Sequence, residues 1–174
     1  VSSEPESALT ALEVTSTRTR FSTEFGGVRL DVCFAAPAFP DDLDLLSMPV
    51  TLVTFSLTST DGASHEVSLS FWLSDALCYD GTIRPAMFRD AFELDGFHAA
   101  WCGQAVQKPL CHSGDNISID WGYLYLASEA EVAPVGDGLR LNWKGSVQDE
   151  QTLRAVIAYD DIASVNYFGT LCKP

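Results

Sequence analysis

Glu66-Val67-Ser68-Leu69-Ser70-Phe71-Trp72-Leu73 decides the fold. Val67, Leu69, Phe71 and Leu73 hold one phase, and Glu66, Ser68, Ser70 and Trp72 hold the other. Successive side chains of a strand point to opposite faces, so a period of two marks a strand with one dry side and one wet side. The same period recurs on both sides of this stretch. Val28, Leu30, Val32 and Phe34 alternate with Arg29, Asp31 and Cys33. Val53, Phe55 and Leu57 alternate with Thr54, Ser56 and Thr58, and Leu139, Leu141 and Trp143 alternate with Arg140 and Asn142. The β-branched and aromatic content agrees with strands.

Two segments depart from simple alternation. Ile117, Ile119, Trp121, Tyr123 and Tyr125 keep the period, but Leu124 and Leu126 fill the other phase as well. Leu153–Tyr159 behaves in the same way. Such strands are central and covered on both faces, or pack against a neighbouring domain. Asp61-Gly62 reads as a tight hairpin turn joining the strand that ends near Thr58 to the one that starts near His65. Helical signal is confined to short turns at 40–46 and 159–167. The fold class that follows is all-β, an antiparallel β-sandwich with few short helices, in one domain over residues 1–174.

Composition narrows the function classes. The chain of 174 residues is long enough for one sizeable core. Its net charge of −14, from 24 acidic against 10 basic residues, argues against nucleic acid and anionic lipid as partners. No apolar run approaches the ~18 residues that span a bilayer. The polar start, 1–7, lacks an initiator Met and reads as a piece cut from a longer protein. Five cysteines, Cys33, Cys78, Cys102, Cys111 and Cys172, show no Cys-x-x-Cys pair, so free thiols are expected and no metal or other cofactor. Cys102 and Cys111 are spaced to close a short loop, the one disulfide to consider.

Several stretches resemble the domain that precedes the catalytic region in glutaminase A-like proteins of fungi and bacteria. They are Thr17-Arg18-Thr19-Arg20-Phe21 with Gly27-Val28-Arg29-Leu30, and Pro40-Asp41-Asp42-Leu43-Asp44-Leu45-Leu46-Ser47-Met48-Pro49-Val50. Further on come Gly114-Asp115-Asn116, then Ile119-Asp120-Trp121-Gly122-Tyr123-Leu124-Tyr125-Leu126-Ala127, and Ala158-Tyr159-Asp160-Asp161-Ile162. The resemblance implies a β-sandwich that precedes a helical, α/α-toroid-like region holding most of the active site, in a parent that hydrolyses glutamine to glutamate and ammonia. It also implies a secreted or cell-envelope parent. Met48 stands where the family usually carries Arg, which removes a bidentate carboxylate contact there. Residues 76–92 are not typical of the family.

The chemistry-bearing residues form a short list. Asp120, Trp121 and Tyr123 open the most specific string and read as a rim facing a ligand or the adjoining domain. Alternatively Asp120 is a structural strand carboxylate and Trp121 is core. Asp160-Asp161 offers paired carboxylates. Adjacent residues on an extended chain point apart, so a helix N-cap is the competing role. Trp72 lies on the polar phase, and with Trp101, Trp143, Tyr79 and Phe97 suggests an aromatic row for sugar rings or an apolar docking patch. Asp41, Asp42 and Asp44 lack the glycine turn and closing Glu of a calcium loop. His65, His98 and His112 are scattered. Three functions follow: an accessory domain without catalysis of its own that docks on the helical domain, a carbohydrate-binding module of a six-hairpin-glycosidase-like protein, or a self-contained amidohydrolase.

Overall fold

A computed structural model describes residues 8–81, 83–111 and 120–173. Alternating phases close into two antiparallel sheets packed face to face. The large sheet uses β1 (Leu9–Val14), β2 (Arg18–Phe25), β3 (Val28–Ala35), β4 (Val50–Ser59), β6 (Met87–Leu94), β7 (Phe97–Gln104), β8 (Tyr123–Ser128) and β11 (Glu150–Asp160). Its order is β1-β2-β3-β4-β11-β8-β7-β6. The small sheet is β5-β10-β9, from β5 (His65–Ser74), β9 (Glu131–Val135) and β10 (Gly138–Val147). β12 (Val165–Tyr167) and β13 (Thr170–Cys172) form a separate hairpin.

The core lies between the inner phases. Val53 and Phe55 of β4, Leu124 and Leu126 of β8 and Leu139 and Leu141 of β10 are nearly or wholly buried there. Phe55 meets Phe71 with ring centroids 5.4 Å apart, tilted at 61°. Trp143 belongs to this inner phase, not to an exposed row. β8 and β11 do sit centrally in the large sheet, as their doubled hydrophobic phases indicate. Ile117 and Ile119, expected to lead into β8, lie outside the described residues, as do His112 and Gly114-Asp115-Asn116.

The Asp61-Gly62 turn is not a hairpin. β4 pairs with β3 and β11, whereas β5 pairs with β10 in the other sheet. The turn is an arch that carries the chain between sheets, so that Phe55 and Phe71 face each other across the core. Its residues hold one another: the Asp61 carboxylate accepts from the Ala63 amide at 2.9 Å and from the Ser59 hydroxyl at 3.2 Å. The true two-residue hairpins are at Gly26-Gly27, Asp95-Gly96, Gly136-Asp137 and Phe168-Gly169. At Asp95-Gly96 both residues take positive φ, 49° and 84°, the twist that such a hairpin needs.

The helical expectations divide. α1 (Leu43–Ser47) overlaps the first predicted segment and runs one residue past it, with the Asp42 carboxylate accepting from the Leu45 amide at 3.0 Å. The second, 159–167, is strand to Asp160, then a turn, then β12. Asp160 therefore caps no helix. Its Oδ1 accepts from the Ile162 amide at 2.8 Å and bridges the turn that follows the strand. The cysteines are free. Cys102 is fully buried on β7 and Cys111 is exposed, so the loop they were spaced to close is not closed.

Candidate functional site

The outer face of the large sheet is the feature that strand alternation alone does not explain. An outward face should be polar when water covers it. On β1 to β4 it is. Arg18, Arg20, Arg29, Asp31, Thr54 and Ser56 line a shallow basin of about 790 Å³. Arg20 faces Glu13 at 3.6 Å, and Arg29 holds Asp31 at 2.9 Å.

Across the rest of the same face the character reverses. Register places Leu52, Val156, Ala127, Ala99 and Phe92 in one line over five strands. The next line is Val50, Ala158, Tyr125, Trp101 and Asp90, and the next is Asp160, Tyr123, Gly103 and Phe88. Phe88 is 62% exposed, Leu52 45% and Phe92 43%. Only Asp90 and Asp160 interrupt this apolar field. Trp101 packs edge-on against Tyr123, centroids 5.3 Å apart at 88°. Burial and the nearby Asp160 carboxylate push the Tyr125 phenol above its ordinary value.

Five of the six residues singled out by sequence gather at one end of this field. Tyr123 and Asp160 are cross-strand partners. Asp120, Trp121 and Asp161 form the corner beyond them. The corner is tied at every link. The Tyr159 hydroxyl donates to the Trp121 carbonyl, and Gln104 Nε2 donates to the Asp120 carbonyl. The Gly122 amide donates to Gln107 Oε1 at 2.6 Å, and Gln107 Nε2 returns a bond to the Gly122 carbonyl at 3.1 Å. Trp121 is buried, and Asp161 Oδ2 accepts from the Ser164 hydroxyl at 2.8 Å. Asp160 and Asp161 thus bond to different partners in the turn after β11. Trp72 stands apart: it lies on the outer face of the small sheet, opposite Arg140 and among serines. The aromatic residues thus divide between two outer faces and the core and make no single row.

Two further sites escaped the sequence reading. Asp75, only 2% exposed, sits in a 3-10 turn, Asp75–Cys78, after β5. Its carboxylate accepts from Arg84 Nε at 3.2 Å, from Arg84 Nη2, and from Arg89 at 3.1 Å, and both guanidinium groups also donate to the Gly136 carbonyl at 2.8 Å. This cluster ties three chain segments, although Arg89 Nε is buried without a hydrogen-bond partner among the described residues. Beside it, Cys78 Sγ lies 3.6 Å from the Cys102 carbonyl. The Cys78 thiol and burial hold the Cys102 thiol well above the ordinary thiol range, which keeps it unreactive.

His65 belongs to the arch, not to a site on the outer face. Its Nε2 lies 2.8 Å from Asp61 Oδ1, and together with the Ala63 amide it lowers the Asp61 carboxyl from 3.8 to about 2. A folded-state value below the unfolded one gives stability that is present above pH ~4 and is lost as pH falls towards 2. A carboxyl-observed NMR titration is expected to place the Asp61 midpoint near 2, and to move it part of the way back towards the ordinary carboxylate range in His65→Ala, where the Ala63 and Ser59 bonds remain. An unchanged midpoint in that variant would remove His65 as the cause. Among the described residues no group of three His, Cys, Asp or Glu side chains is placed to hold a metal ion. No helix among them is long and apolar enough to cross a membrane.

These features define an antiparallel β-sandwich with an apolar field on the outer face of its large sheet. Over residues 17–144 the chain matches the family described as "Domain of unknown function (DUF5127)", and it belongs to that family. No curated protein matches it. Among solved structures it is similar to "Putative kojibiose phosphorylase from human microbiome", with a TM-score of 0.44 and 9% identity. The match covers 82% of this chain and 17% of that one, so the chain spans about a sixth of that protein's length.

Proposed function

We propose that the chain is an accessory module without catalysis of its own, which docks on a catalytic domain through the apolar half of the large sheet's outer face. The carrying observation is the register-defined field from Leu52 to Phe92, with Tyr125, Trp101 and Phe88 beside it. Large contiguous apolar surface on a soluble domain marks an interaction site. Sheet faces of this kind are covered by another layer in multilayer proteins. The catalytic domain is the helical region of a glutaminase A-like hydrolase, as the sequence resemblance implies. Asp120, Trp121, Tyr123, Asp160 and Asp161 then form the rim of the interface.

A carbohydrate-binding role needs ring faces laid flat for a sugar to stack on. Trp101 and Tyr123 stand perpendicular to each other, so the two rings do not form one flat platform. The test is ammonia release from glutamine by the 174-residue chain, with folding checked in parallel. No turnover by a folded sample is expected. Turnover that Asp120→Asn or Asp161→Asn abolishes would make the chain a self-contained amidohydrolase.

A further inference from the structure

We infer that β5 is a docking edge for an added strand: an extended segment that alternates apolar and polar residues and carries Lys or Arg opposite Glu66.

Sheet edges in folded proteins are normally blunted by bulges, prolines or charges, because unpaired backbone groups recruit other strands. The other edges here are treated in that way. β1 breaks register between Leu9 and Ala11, β9 carries Pro134, and β6 carries Arg89, Asp90 and Glu93. β5 has none of these protections. It runs ten residues in unbroken register with β10, has no proline or lysine, and bears one acidic side chain, Glu66. It pairs on one side only.

The register shows which backbone groups are open. The Asp75 amide donates to the Asp137 carbonyl at 3.0 Å. Alternation back from that bond turns the N–H and C=O of Glu66, Ser68, Ser70 and Trp72 away from β10. None of them has a backbone partner among the described residues.

The space beside this edge already has an apolar floor. Eight strands oppose three, so the large sheet overhangs the small one past β5. On the overhang Leu9, Leu12, Val14 and Phe25 are 53–68% exposed although they hold the phase that faces the core elsewhere. Between overhang and edge runs a groove of about 660 Å³, floored by Val28, Leu30 and Leu57 and walled by Val67 and Leu69. A strand added to β5 satisfies its open backbone groups and covers that floor with every second side chain.

Charge selects the occupant. Glu66 is the one acidic residue lining the groove, and its histidine, His65, is engaged by Asp61. A second copy would bring another net charge of −14 and set acidic edges against each other. A basic, alternating segment meets both conditions.

The probe is a synthetic nonapeptide, acetyl-Lys-Val-Thr-Val-Lys-Val-Thr-Val-Lys-amide, titrated into the 15N-labelled chain. Expected are amide shifts and slowed hydrogen exchange at Glu66, Ser68 and Ser70. Affinity should fall at least tenfold when the lysines are replaced by glutamates, and binding should be lost when alternate peptide amides are N-methylated. Ser70→Pro removes an outward N–H without touching the β10 ladder and should also abolish binding. If that variant fails to fold, the N-methylated peptide decides alone. Absence of binding, equal binding of the N-methylated peptide, or protection centred away from β5 would overturn the inference. So would a dimer of the peptide-free chain with β5 protected.

Discussion

Asp75→Ala is expected to destabilise the domain by roughly 3–5 kcal/mol, because removing one partner of a buried ion pair leaves uncompensated charge. For a chain of this size that corresponds to a fall in melting temperature on the order of 10 °C. Asp75 is only 2% exposed, and among the described residues it is the acidic group that forms ion pairs with Arg84 and Arg89. Without it two guanidinium groups share a single acceptor, the Gly136 carbonyl. Arg84, whose side chain is 41% exposed, can turn to water, but Arg89 at 25% is held against the Gly136 carbonyl of the β9–β10 turn. Asp75→Asn keeps the volume and one acceptor and should cost less. Thermal melts of the three proteins check this. A shift below about 2 °C for the alanine variant would show that the cluster does not hold the turn.

Gly122→Ala is expected to cost on the order of 3 kcal/mol, combining a backbone conformation reserved for glycine with a steric clash. Gly122 has φ of +100°. An added Cβ would overlap the Asp160 carbonyl oxygen and stand 3.0 Å from Asp161 Cα. The same substitution threatens the two bonds to Gln107 and so the whole Asp120–Tyr123 corner. Gly81→Ala separates the contributions: its φ is +99°, but nothing lies within 4 Å of the added Cβ. Chemical denaturation should show Gly122→Ala clearly more destabilised than Gly81→Ala. Equal losses would mean that the corner gives way without cost and does not fix the rim.

Alternation made the two-sheet fold legible, because Val67 to Leu73 and Val53 to Leu57 state their dry faces directly. It could not state which sheet a strand joins. Asp61-Gly62 has the chemistry of a hairpin turn, yet β4 finds β11 some hundred residues away and β5 finds β10. Local turn preference is outweighed there by burial of Phe55 against Phe71. The apolar outer face was partly readable, since Leu124 and Leu126 fill one phase while Tyr123 and Tyr125 fill the other. Its far end was not. Phe88 and Phe92 are separated by Arg89, Asp90 and Ala91, and only the β6–β7 register brings them into line with the apolar field. Asp75 was invisible for a similar reason: its arginines follow nine residues later in an irregular segment and fourteen later on β6, with no spacing that marks an ion pair. Asp160 and Asp161 were read as a helix cap because Asp suits that role, but the strand continues to Asp160 and the next element is again a strand.

The docking claim is tested most directly by photochemical labelling of apolar surface. A diazirine probe is applied to the 174-residue chain and to the same chain joined to the helical region that the resemblance places after it. Heavy labelling of Phe88, Phe92 and Trp101 is expected in the chain alone, falling to background in the joined protein, while Trp72 on the opposite face labels equally in both. Undiminished labelling of Phe88 and Phe92 in the joined protein would contradict it.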